Sequence, residues 1–152
     1  MNKLSKSIIE YRKSLVDLEK ELKHQAKANN ELVIGDSNKF PLNHTFAHGI
    51  YVREMKMQKD TFVLGKIHQH DHIWFLLTGK LLIETGEGVE EYIAPCYVKA
   101  SGGTQRLIRA VEDSIFVNVY GNPNNKENVS ELENNIIAKN YLEYEKIKQL
   151  KL

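Results

Sequence analysis

Half of the chain's six histidines, His68, His70 and His72, fall within five residues. Neutral imidazole is the commonest protein ligand for borderline metals. A strand alternates its side chains, so Lys66, His68, His70 and His72 would share one face, with Ile67, Gln69 and Asp71 on the other. Residues two apart on a strand are separated by roughly 6.6 to 6.8 Å, within reach of a shared ion. His68 and His72 are about twice as far apart, so a three-histidine centre requires the strand to bend, bulge or curl into a barrel. The chemistry expected here is one iron, nickel, manganese or zinc ion held by His68, His70 and His72. A histidine-rich strand lining a polar cleft or a subunit interface is the competing reading.

Fewer expectations attach to the other reactive side chains. His44 and His48 flank Phe46 and would complete the centre only from a strand beside the His68 strand; surface or capping roles are favoured. Arg53 and Glu54 suggest a cross-strand pair. Trp74 and Leu76 are assigned to the core, away from the histidines, and Asp71 is expected to point away from them too. Cys96, the only cysteine, sits in an apolar stretch and reads as a structural thiol. No Ser-His-Asp, Walker or dinucleotide signature is present, and Gly86-x-Gly88 reads as a hairpin turn.

At 152 residues the chain can bury one ordinary core. A net charge of +1, with both signs interspersed, argues against a nucleic-acid partner. The single cysteine and the lack of a signal-like apolar start point to a cytoplasmic location. No run approaches membrane-spanning length, so no membrane partner is expected.

Three sections must position these groups. Residues 1–28 form an amphipathic helix in which Leu4, Ile8, Tyr11, Leu15, Leu18 and Leu22 keep a 4-3-4-3-4 spacing, the seam of a coiled coil. That seam either zips to a second copy, the favoured outcome, or packs on the chain's own sheet. A polar linker follows, with Asn29, Asn30, Gly35, Asp36, Ser37 and Asn38. Residues 40–122 read as short strands rich in Val, Ile, Tyr and Phe: 50–57, 62–67, 72–78, 81–84, 90–94, 97–100, 106–109 and 115–120. So many strands imply a jelly roll or small barrel whose inward residues line a pocket. Residues 128–152 return to one helix, opened by a Ser130/Glu133 capping box and striped by Leu132, Ile136, Ile137, Tyr141, Tyr144 and Ile147. It should fold back on the barrel or pair with the first helix.

The middle section resembles the cupins, whose motifs read G-x5-H-x-H-x3,4-E-x6-G and G-x5-P-x-G-x2-H-x3-N. Anchored on Gly79, the first motif places Asp60 at its opening glycine, Lys66 and His68 at its histidines and His72 at its glutamate. In the second, Ser101 stands for the proline, Gly103 for the middle glycine, Arg106 for the histidine and Ala110 for the asparagine. The stretch Ala47 to Glu54, with His68-x2-Asp71-His72 and Gly103-Thr104-Gln105-Arg106, is also similar to small cupins of tailed-phage genomes. The resemblance covers residues 44 to 122 and implies a mainly β, jelly-roll barrel; the two helices that flank it lie outside the resemblance.

Two cations replacing two ligands would repel a divalent ion, whereas Lys66 and Arg106 facing one pocket would attract a carboxylate or phosphate. Two functions follow. The favoured one is a non-catalytic assembly or scaffold protein with a degenerate pocket. It would be a phage structural component, in the host cytoplasm or the virion, a homo-oligomer through the N-terminal helix and barrel edge, and a partner of other phage structural proteins. The alternative is a metal-dependent oxygenase or isomerase using His68, His70 and His72 on a small molecule.

Overall fold

The computed structural model describes residues 6–29 and 40–151; Leu4, the side chain of Leu22 and the linker residues 30–39 lie outside them. After helix α1 (Lys6–Asn29), strands β1 (Leu42–Ala47), β2 (Gly49–Met57), β5 (His72–Thr78), β8 (Cys96–Ala100) and β10 (Ser114–Asn122) form one antiparallel sheet, ordered β1-β2-β10-β5-β8. Strands β3 (Phe62–Leu64), β6 (Lys80–Glu84), β7 (Val89–Ile93) and β9 (Leu107–Ala110) form a second, ordered β3-β9-β6-β7. This is the expected mainly β jelly roll. Between the sheets lie Met57, Val63, Trp74, Leu76, Leu81, Ile83, Ile108 and Phe116, all buried. Alternation produces this core: in β5, His72, Trp74 and Leu76 point inward while Ile73 and Leu77 are exposed. Trp74 therefore shares its face with His72, contrary to the expectation that it points away from the histidines.

The single strand expected over 62–67 is broken, and that break shapes the site. β3 ends at Leu64, where Gly65 exchanges contacts with the β9 side: its N–H donates to Arg106 O at 2.7 Å, and Gln105 Nε2 donates to its carbonyl at 2.9 Å. The two-residue strand β4 (Ile67–His68) then pairs with β11 (Ile137–Ala138) in the C-terminal section. The chain next turns sharply through Gln69, His70 and Asp71. Gln69 Nε2 donates to the carbonyls of Asn134 (3.0 Å) and Ile137 (2.8 Å), and Asp71 Oδ1 accepts from Gly102 N at 2.9 Å.

β11 also divides the C-terminal helix expected over 128–152 into α2 (Val129–Ile136) and α3 (Tyr141–Leu150). The caps are asparagines: Asn128 Oδ1 accepts from Glu131 N, and Asn140 Oδ1 from Glu143 N. The expected Ser130/Glu133 box does not open the helix; both residues lie inside α2. Leu132 and Ile136 pack with Tyr51 and Tyr120, and Tyr144 with Ile67 and Ala138, so both helices fold back on the barrel. Gly103, at φ +82°, is required under α3: a Cβ there would lie 2.5 Å from the Tyr144 ring.

The α1 seam is used within the chain. Leu15 is 2% exposed, Tyr11 donates its hydroxyl to Glu84 O (2.7 Å) and Gln105 O (3.3 Å), and Arg12 pairs with Glu145 at 3.1 Å while its guanidinium lies 4.2 Å from the Tyr141 ring centre. Tyr11 thus reaches the chain's own barrel and Arg12, outside the seam, reaches α3. Among the described residues no helix is long and apolar enough to cross a membrane.

Candidate functional site

The turn at Gln69–Asp71 removes the separation that a straight strand would impose on His68 and His72. It brings the rings of His68 and His72 to 4.3 Å between centroids, both buried. It also throws His70 outward, where its Nδ1 lies 3.0 Å from Lys151 Nζ. The expected three-histidine constellation is therefore not assembled: His68 and His72 meet inside the barrel and His70 does not join them. Among the described residues no group of three His, Cys, Asp or Glu side chains could hold a metal. His44, on β1, hydrogen-bonds Tyr51 Oη at 2.7 Å rather than facing His68, and His48 is exposed in the β1–β2 turn. Asp71 points away as expected and pairs with Lys99 at 2.9 Å.

Arg106, the residue before β9, is 5% exposed and extends into the barrel between the histidines and the core. Its Nη2 donates to His72 Nε2 at 3.2 Å and approaches Asn118 Oδ1 at 3.5 Å, and its guanidinium carbon lies 5.9 Å from the Trp74 ring centre. Lys66 stays at the rim, half exposed, with Nζ 3.3 Å from Glu133 Oε1. Both residues line one cavity of about 320 Å³, together with His68, Arg53, Asn118 and Glu133 and an apolar wall that includes Met55, Val63, Leu64, Ile108 and Phe116.

Hydrogen bonding fixes the protons. Arg53 Nη2 donates to the Tyr120 hydroxyl at 2.9 Å, which leaves that hydroxyl's own proton for His68 Nε2, also at 2.9 Å. His68 then carries its proton on Nδ1. His72, accepting from Arg106 at Nε2, also carries it on Nδ1, facing the His70 carbonyl at 3.4 Å. Both rings are held neutral. Burial, then the neighbouring His72 and Arg106, holds His68 well below the usual histidine range, and burial followed by the Arg106 charge lowers His72 to about 4. Burial likewise lowers Arg106, to about 10.

Two buried polar side-chain atoms among the described residues lack a partner: His68 Nδ1 and Arg106 Nη1. Both residues line the same cavity, and both atoms are donors under this proton assignment. A buried donor without an acceptor costs about 1 to 3 kcal/mol, more when charged. Neither donor finds an acceptor among the described residues.

Four side chains of this site were not singled out in the sequence as pocket residues. Arg53 was assigned to Glu54; instead it binds Glu133 at 3.2 Å and the Tyr120 hydroxyl, reaching across the barrel. Its signal was parity, since Tyr51 and Met57 on the same face are both buried. Asn118 and Tyr120 continue the inward series of Phe116 in β10 and could have been found in the same way. Glu133 carried no such signal, because only the cap at Asn128 sets which face of α2 meets the barrel.

No protein-family model and no curated protein sequence matches the chain. Solved structures share its fold. Ectoine synthase from P. lautus aligns with a TM-score of 0.53 at 14% identity, over 66% of this chain and 74% of that one. A conserved protein with a double-stranded β-helix domain from Klebsiella pneumoniae aligns at 0.50 and 19% identity, over 62% and 87%. A cupin 2 domain-containing protein from Halorhodospira halophila aligns at 0.50 and 12% identity, over 57% of this chain and 66% of that one, just under two thirds of its length. The barrel is a cupin fold. At these identities the likeness speaks for the fold and leaves the chemistry to the residues.

Those residues do not fit the metal that the cupin fold implies. Of the histidines, His68 lines the pocket and His72 lies beside it, and the one carboxylate of the lining, Glu133, is held by Arg53 and Lys66. The Nε2 atom of each histidine is engaged by another side chain, and a guanidinium lies 3.2 Å from the His72 nitrogen. The cavity lining carries three cations, Arg53, Lys66 and Arg106, against one carboxylate, Glu133. A divalent ion would add positive charge where it is already in excess.

Proposed function

We propose that this cupin-fold protein is a non-catalytic binding module that takes a small organic carboxylate into its barrel. The observation that supports this reading is that Arg106 and His68, each holding a buried donor without a partner, Nη1 and Nδ1, are both residues of one cavity whose wall is otherwise largely apolar. A carboxylate supplies two acceptor oxygens and the negative charge that Arg106 lacks in the folded chain. Burial supplies the strength, since charge-assisted hydrogen bonds out of water are roughly twice as strong as neutral ones. The oxygenase or isomerase reading needs a metal that this ligand set does not favour. An assembly role, in a phage particle or elsewhere, has the resemblance of residues 44–122 in its favour, while Tyr11 of the helical seam proposed to drive it is hydrogen-bonded within the chain.

Trp74 is the only tryptophan and lies beside the Arg106 guanidinium, so its emission reports on the site directly. Titration with hexanoate should shift Trp74 fluorescence to saturation at one site per chain, and the neutral isostere hexanamide should not. After incubation with iron, nickel, manganese or zinc and desalting, elemental analysis should find no stoichiometric metal. One equivalent of tightly held metal per chain, with no response to hexanoate, would overturn the proposal.

A further inference from the structure

Resting on the carboxylate reading, we infer that Glu133 makes the pocket selective for monocarboxylates with an apolar body, by occupying the position that a second ligand anion would take. The cavity is graded from floor to mouth. At the floor, Arg106 and His68 are 5% and 4% exposed and each keeps an unpartnered donor. At the mouth, Glu133 Oε1 accepts from Arg53 Nη1 at 3.2 Å and from Lys66 Nζ at 3.3 Å. The outer two cations are therefore already paired, and the inner one is not. Between the two ends stand Met55, Val63, Leu64, Ile108 and Phe116, which offer apolar contact and no hydrogen bond from their side chains.

Charge arithmetic gives the selectivity. A ligand with one carboxylate on Arg106 leaves an uncharged tail beneath Glu133, and the mouth is undisturbed. A ligand with a second carboxylate at the far end brings that charge against the Glu133 carboxylate, or must displace it from Arg53 and Lys66. Like charges near a protein surface repel by several kcal/mol at contact before screening. A cavity of about 320 Å³ equals roughly ten waters at liquid volume, which suits an acid of about six carbons. Glu133 does this from α2, outside the barrel, on a helix whose Asn128 cap and buried Leu132 and Ile136 fix its orientation. Glu133 is thus a specificity-determining residue rather than part of the anion-binding floor.

The test is calorimetric titration of the full chain and its E133Q and E133D variants with hexanoate, adipate and acetate. Wild type and E133D should bind hexanoate at least roughly tenfold more tightly than adipate. In E133Q, which keeps the shape but frees Arg53 and Lys66, that preference should shrink by about tenfold or reverse, through tighter adipate binding. A purely structural role for Glu133 would weaken both acids together and leave the ratio unmoved, overturning the inference. Equal binding of hexanoate and adipate by wild type would also overturn it while the carboxylate reading stands. Binding of acetate alone would retain the anion floor and refute the apolar body; binding of none of the three would defeat both readings.

Discussion

Replacement of Arg106 by methionine is expected to weaken hexanoate binding by about 100-fold while changing folding stability by no more than about 2 kcal/mol in either direction. The two quantities separate because Arg106 serves the ligand better than it serves the fold. Its guanidinium is buried with Nη1 unpartnered, and its Nη2 contacts are a 3.2 Å bond to His72 and a 3.5 Å approach to Asn118. Methionine keeps the contact with Trp74 and Phe116, removes the cost of burying the charge, and leaves His72 and Asn118 each short of a donor. These effects oppose one another. For binding nothing opposes the loss, since the ligand's charge would enter the barrel without a countercharge at the floor. Denaturant unfolding and the Trp74 titration measure the two halves. Undiminished hexanoate binding by R106M, or its failure to fold, would contradict this account of the residue.

The second large effect is on acid stability. His72 is held neutral with its pKa lowered from 6.5 to about 4, and His68 is lowered as well, both chiefly by burial. In the unfolded chain these rings take up protons as the pH drops through about 6.5, while the folded chain resists, so the unfolded state binds more protons and is favoured. For His72 that stability is complete above pH 6.5 and is lost between there and pH 4. At 1.36 kcal/mol per unit, His72 alone accounts for about 3 kcal/mol of that loss. Gln at position 72 keeps an acceptor for Arg106 and does not titrate. H72Q should therefore lose about 3 kcal/mol less than wild type between pH 7 and pH 4, measured by denaturant unfolding across that range. Parallel pH profiles would show that the ring is not held neutral.

Much of the fold was legible because β-branched and aromatic residues cluster between turn residues. The apolar runs within His72–Thr78 and Ser114–Asn122 are of that kind, and both lie inside the five-stranded sheet. The short pieces were not legible, for a physical reason. β4 and β11 have two residues each and exist only because they pair with each other across 69 positions of sequence. That pairing divides the C-terminal helix and turns the chain after His68. It thereby decides that His72, rather than His70, becomes the neighbour of His68. A heptad seam cannot say which surface it covers, and here Tyr11 bonds to the barrel of the same chain. At the site, the substitution of Arg106 for a motif histidine was the most telling residue, since it marked both the loss of a ligand and the gain of an anion-seeking charge.

The most direct measurement is diffraction from crystals of the full chain soaked with hexanoate and with a metal mixture in parallel. This account predicts a carboxylate within hydrogen-bonding distance of Arg106 Nη1 and His68 Nδ1, its tail along Val63, Ile108 and Phe116, and no ion between His68 and His72. A metal bound by those two histidines with Arg106 swung aside, or a barrel that excludes the acid, would contradict it.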